Sequence, residues 1–153
     1  METEVFAYLR MGKMKDNLYI FWQDSFIQDE SIIDEQHRAL LATVNSLHYF
    51  LQQGQRLDLL MPTVKILVNY LRFHHKTEEG ILRSADYPKL NDYIHNSEEK
   101  IKNVKLVCKE ALIYKEPEQV LLFLRKWWQE HIRYHDELTL YLTHSAGGYC
   151  HIE

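Results

Sequence analysis

The sequence predicts an all-α protein, an up-down-up-down bundle of four helices preceded by an N-terminal arm. Three observations predict it. The chain of 153 residues carries 5 glycines and 3 prolines, too few breakers for a fold made of many turns. Four long stretches place apolar residues at intervals of three and four, the spacing of one helix face. Short turn-forming segments separate these stretches, and short connections make neighbouring helices antiparallel.

The elements follow in order. Residues 1–17 read as an extension of mixed character, with Met11 and Met14 as further candidate starts. Leu18 to Ile33 is aromatic and polar without a clear period, and reads as an arm packed on the outside of the bundle. The first helix runs from about Asp34 to Gln53 on the seam Ile33, His37, Leu40, Leu41, Val44, His48 and Leu51, with Gly54 as its C-terminal cap. The second runs from about Leu60 to Ala85. Pro62 is acceptable in its first turn, and its seam is Val64, Leu67, Leu71, His74, Glu78, Ile81 and Ala85. Asp86-Tyr87-Pro88 ends it, because a residue before proline avoids the α region. The third, about Pro88 to Tyr114, has the seam Leu90, Ile94, Ser97, Ile101, Val104, Cys108 and Ala111 and a charged opposite face. The fourth, about Pro117 to His144, has the seam Val120, Leu124, Trp127, His131, His135, Leu138 and Leu142, and Gly147 and Gly148 close it. The bundle therefore spans residues 18–146, and residues 147–153 form a tail.

Composition bounds the function. The hydrophobic fraction of 46% and charged fraction of 26% are those of an ordinary globular domain. A net charge of −4 gives no reason to expect nucleic acid or an anionic membrane as partner. Cys108 and Cys150 form no redox or metal motif and fit a reducing compartment. The N-terminus carries no signal-peptide pattern, and no apolar run approaches the length of a membrane span. The expected location is the cytoplasm.

The chemistry lies in the polar groups that fall on apolar seams. Glu78 follows His74 by four residues, so both project from one face. That face is otherwise apolar, and a carboxylate buried there needs a cation or a metal beside it. His37 lies on the first seam and His131 on the fourth. Three helices thus aim a His or Glu at the bundle centre, which is how bundles build metal sites. Such donors suit iron, manganese or zinc. The same residues taken one at a time also read as satisfied polar core groups.

Several motifs carry a family resemblance. Ile33-Asp34-Glu35-Gln36-His37-Arg38-Ala39-Leu40 resembles the I-D-x-Q-H-x-x-L signature of hemerythrins, with Trp22 twelve residues before Asp34 in the arm. Tyr70 to Glu79 resembles Y-x-x-x-H-F-x-x-E-E, Tyr87-Pro88 the following Y-P turn, and Trp127 to Asp136 resembles W-L-x-x-H-I-x-x-x-D. The resemblance covers about Tyr19 to Leu142. It implies a diiron centre with a Glu and an Asp bridging two irons, and O2 bound at the iron that carries two histidines. Carried over by motif, His37 and His74 would serve that iron. Glu78 and Asp136 would bridge, and His131 would serve the other iron. Periodicity alone nominates His135, one turn after His131; the resemblance nominates Asp136.

The chain departs from the pattern on its third helix, where the family's H-x-x-x-H pair falls on Tyr93 and Ser97. His95 and Glu99 offer a slipped alternative, but a slip of two residues would rotate the helix by roughly 200° and bury lysines. Tyr93 could bind ferric iron as phenolate or fill the space left by a metal and an imidazole. Trp128 replaces the usual Leu that lines the O2 pocket; it either fills that pocket or faces outward. His48 reads as a polar core residue, and His75, His95, His144 and His151 as exposed. The expectation is an iron protein, with a diiron-type centre or a single remaining iron, that binds O2 or another small diatomic ligand and is not an enzyme. Carriage of O2 by the usual two-iron route fits the missing pair poorly. The alternative is a metal-degenerate bundle that serves as an interaction or signalling module with a protein partner. A mononuclear oxidoreductase ranks last.

Overall fold

The computed structural model describes residues 18–28 and 30–146. Among the described residues are four α-helices: α1 (Ser31–Gln52), α2 (Met61–Ser84), α3 (Leu90–Tyr114) and α4 (Glu118–Ala146). Helix α1 packs on α2 and α4, and α3 packs on α2 and α4, so the four close into a ring around one interior. The expected boundaries hold to within three residues at every helix end.

Each connection is closed by one left-handed residue: Gly54 (φ +78°), Asp86 (φ +51°) and Lys115 (φ +57°). After each, an amide reaches back five residues to the helix. Gln55 N donates to Phe50 O (3.1 Å), Tyr87 N to Leu82 O (3.0 Å) and Glu116 N to Ala111 O (3.0 Å). These bonds satisfy carbonyls that the helix ends would otherwise leave open. Glycine takes the left-handed region freely at Gly54, whereas Asp86 and Lys115 each hold it at a cost of roughly 1 kcal/mol.

The apolar seams meet in one large cluster. Leu40, Leu47, Leu67, Leu71, Val104, Val120 and Leu124 are almost wholly buried there, joined by Trp127 and Trp128. Full burial of one such aliphatic side chain stabilises by roughly 1.5–3 kcal/mol, so this cluster outweighs every surface ion pair. A second, smaller cluster joins Leu82, Tyr93 and Leu138. In sequence, His74 and Glu78 lie between Leu71 and Leu82, and His131 and His135 lie between Trp128 and Leu138. The polar layer therefore sits between two apolar ones.

The arm is tied to the outside of the bundle as expected. Asn45 Oδ1 accepts from the amides of Tyr19 and Ile20 (2.9 Å each), and Asn45 Nδ2 donates to Ile20 O (2.9 Å). The Arg125 guanidinium donates to Tyr19 O (2.9 Å) and lies over the Tyr19 ring, and Arg38 lies over Trp22. A single 3-10 turn, Asp24–Phe26, leads to Gln28, whose amide donates to Asp34 Oδ1 (2.9 Å) at the start of α1. No helix among the described residues is long and apolar enough to cross a membrane. Met11, Met14, Gly147, Gly148, Cys150 and His151 lie outside the described residues.

Candidate metal centre

Helix periodicity selects the donors. His37 faces inward from α1, His74 and Glu78 from α2, and His131 and His135 from α4, the last two pairs each four residues apart on one face. One ligand atom from each of these five residues lies within 4.8 Å of all the others. All five are buried, His37 and His74 completely.

The separations within the group are those of a coordination shell. His74 Nε2 is 2.9 Å from His131 Nε2, and His37 Nε2 is 3.1 Å from it. All four imidazoles face the same carboxylate oxygen. Glu78 Oε1 lies 2.9 Å from His74 Nε2, 3.4 Å from His131 Nε2 and 3.9 Å from His37 Nε2, and is in close contact with His135 Nε2. Donors held ~2.1 Å from a shared ion stand about 3.0 Å apart at right angles and about 4.2 Å apart across it. One ion fits this spacing.

Proton bookkeeping points the same way. Thr77 donates to Phe73 O (3.2 Å) and so accepts from Gln36 Nε2 (3.0 Å), which leaves Gln36 Oε1 to accept from His74 Nδ1 (3.0 Å). His74 Nε2 is then the ring nitrogen left facing the Glu78 carboxylate, at 2.9 Å. A proton or a metal ion between them satisfies both groups. The Gln36 contact is also the outer hydrogen bond that fixes a metal-bound imidazole's tautomer.

The electrostatics favour the metal-binding protonation states. Burial drives the His37 imidazole far below its ordinary value, helped by His131, His74 and His135. Burial pushes His131 down to about 3, against the pull of Glu78. Burial works to raise the Glu78 carboxyl, but His131, His74 and His135 outweigh it and hold it well below the carboxylate range. Neutral imidazoles and an ionised carboxylate are the forms that bind metal.

Of the residues that the sequence reading named, the structure brings together His37, His74, Glu78 and His131, joined by His135 and not by Asp136. That residue is exposed, and His135 takes the inward position. The reason is geometric: α4 is a regular α-helix throughout, in which i+4 returns to the same face and i+5 lies about 140° away. A one-residue π-bulge would be needed to turn Asp136 inward. Tyr93 is buried, and its hydroxyl donates to Glu78 Oε2 in a short contact, while the four imidazoles hold Oε1. Burial, followed by Glu78, raises the Tyr93 phenol far above its ordinary value. It therefore stands as a neutral donor to the carboxylate. Ser97 is half-buried beside it, His95 is exposed and Glu99 lies at the edge, so α3 keeps the unslipped register.

Three other residues are settled. Trp128 is buried and sets its edge against the His37 ring, 5.2 Å between centroids, so it fills the core beside the site. His48 is half-buried and stacks on Tyr19 under the arm, leaving the core position to Leu47. His75, expected at the surface, is buried, and burial lowers it to about 4. Its signal was present: Val68, Leu71, His75 and Leu82 form a second buried stripe along α2. With Tyr93, Ser97, Trp127 and His131 it lines a cleft of about 360 Å³ on the α3 side of the donors. On the other side, Ile33, Ile81, Leu82, Leu138 and Leu142 surround an apolar space of about 30 Å³ that touches Glu78 and His135.

Fold and site together define a metal-binding four-helix bundle. The chain belongs to the hemerythrin family: the family model of the Hemerythrin HHE cation binding domain matches residues 29–141. It is similar to the bacteriohemerythrin of Clostridium acetobutylicum, 28% identical over 117 residues, or 72% of this chain and 91% of that protein. It also resembles the bacteriohemerythrin of Stenotrophomonas maltophilia, 27% identical over 146 residues, 85% of this chain and 92% of that one. A bacteriohemerythrin of Pseudomonas aeruginosa matches over 69 residues at 30% identity, 45% of this chain and 44% of that protein. The family's cofactor is iron, and four imidazoles with one carboxylate form a donor set suited to it.

Proposed function

We propose that this protein binds O2 or a related diatomic ligand at a single iron held by His37, His74, Glu78, His131 and His135, for sensing, storage or delivery in the cytoplasm. One observation carries the reading: all four imidazoles converge on one oxygen of Glu78. The other oxygen, which would have to serve a second ion, is taken by Tyr93.

Bound iron supplies affinity for diatomic ligands and reversible one-electron chemistry. The chain's own residues supply the rest. Glu78 would offset part of the charge of an iron held by the five residues, and such an iron would keep room for a ligand. Gln36 fixes the His74 ring through Nδ1. Tyr93 holds Glu78 in place and covers its outer oxygen. Trp128 and the large apolar cluster exclude water on the His37 side. The apolar space beside Glu78 and His135, at about 30 Å³, is the size of one water or one diatomic molecule. Because one ion cannot supply two electrons from two irons, sensing or storage fits the site better than carriage by the two-iron route.

The test is a titration of the anaerobic ferrous protein with nitric oxide and, separately, O2, followed by absorption and electron paramagnetic resonance. The reading expects spectral changes that saturate at one ligand per iron. Iron that is bound but spectrally indifferent to both gases would contradict it. Protein that takes up no iron at all would leave the interaction module as the better account.

A further inference from the structure

Four tyrosines run in file from the donor cluster to the surface. Tyr93 is hydrogen-bonded to Glu78 Oε2. Its ring stacks on Tyr134, with centroids 6.1 Å apart and planes 17° from parallel. The Tyr134 hydroxyl is 3.3 Å from the Tyr87 hydroxyl. The Tyr87 ring meets Tyr141 edge-on at 5.1 Å. Tyr141, half-buried on α4, donates to Ala85 O and Asp86 O at the turn between α2 and α3. Each step is a ring or hydroxyl contact, and the file passes from α3 to α4, to the α2–α3 turn and back to α4. Phenylalanine would fill the same volume at each place. What tyrosine adds is a ring that can give up one electron with its phenolic proton, and short steps between such rings carry charge faster than one long step.

We propose that Tyr93, Tyr134, Tyr87 and Tyr141 form an electron-transfer file that gives the iron-loaded protein a second activity, the reduction of hydrogen peroxide or an organic hydroperoxide, with an external thiol as final electron donor. This rests on the iron site proposed above. The step balances. One peroxide takes one electron and one proton from each of two tyrosines; its O–O bond breaks, and hydrogen peroxide yields two waters and two neutral tyrosyl radicals. The Tyr93 proton leaves along its hydrogen bond to Glu78 Oε2, and oxidation passes outward from ring to ring. Two thiols then return two hydrogen atoms to the tyrosines and become one disulfide.

The test uses the full chain loaded with ferrous iron, with iron content measured on the same sample. Hydrogen peroxide is added, and the protein is freeze-quenched for electron paramagnetic resonance. A parallel sample without thiol is digested for mass spectrometry of oxidised and cross-linked tyrosines. The expected result is a tyrosyl radical that thiol quenches, with oxidation at Tyr87 and Tyr141. Tyr134→Phe keeps the packing but breaks the middle of the file, so oxidation at Tyr87 and Tyr141 should be lost while the iron content stays unchanged. Three results overturn the proposal alone, with the iron site intact: iron bound but no tyrosyl radical, an unchanged oxidation map in Tyr134→Phe, or equal oxidation of Tyr49, which is exposed on α1 outside the file. Failure to bind iron overturns this proposal and the iron reading together.

Discussion

The two sides of the site differ in what they offer a cation. Helices α1, α2 and α4 present His37, His74, Glu78, His131 and His135. Helix α3 presents Tyr93 and Ser97 on its side of the cleft beside them. The side with five donors is organised around one oxygen, Glu78 Oε1. The α3 side has withdrawn to a supporting role, with the Tyr93 hydroxyl on Oε2. The difference teaches that three helices of a bundle can gather five metal-capable donors while the fourth gives one of them a hydrogen bond. The spacing of those five suits one ion.

That comparison can be broken most severely from the five-donor side. His37→Ala combined with His74→Ala removes two imidazoles that converge on His131. Iron content should fall to background while far-ultraviolet circular dichroism keeps its helical form, since the large apolar cluster is untouched. Retention of stoichiometric iron in that variant would mean the donors have been misplaced.

Acid should separate the sides next. In the metal-free protein, burial lowers His131 to about 3 and His75 to about 4, both below the ordinary histidine value of 6.5. The folded state then binds fewer protons than the unfolded state, so stability is full above pH ~6.5 and falls as the pH drops toward the folded values. Between pH 7 and 5 each such histidine should cost about 2 kcal/mol, readable as a shift in the denaturant midpoint. A midpoint that does not move over that interval would contradict the buried, neutral imidazoles.

Tyr93→Phe probes the α3 side alone. Removing an outer hydrogen bond to a ligating carboxylate weakens metal binding by roughly 10- to 100-fold, without changing the number of ions bound. If the phenol were itself a ligand, the ferric wild-type protein would be purple or blue and the variant would lose that colour. The smallest expected effect is far from the site. Lys115→Gly should raise stability by roughly 0.5–1 kcal/mol, because glycine takes the left-handed conformation without the Cβ penalty.

Most of this architecture was legible in the sequence because a bundle repeats one rule. Spacings of three and four marked all four helices, and the scarcity of glycine and proline made each gap between them stand out. The same rule found His37, His74, Glu78 and His131. It also nominated His135, which faces the donor group from the regular α4 helix, whereas the motif nominated Asp136, which is exposed. His75 was missed because α2 buries two adjacent stripes, and a residue beside a seam looks exposed when one stripe is assumed. The Tyr93 hydrogen bond could not be read at all. It depends on how far α3 stands from α2, which packing sets and spacing does not.

The most direct test of the account is metal content per chain, with the absorption spectrum, on protein purified without chelator or affinity metal and then loaded anaerobically with iron. A single cluster of five donors predicts one iron per chain and none of the near-ultraviolet bands of an oxo-bridged pair. Two irons per chain with such bands would contradict it, because α3 would then have to supply donors that its side of the site does not hold.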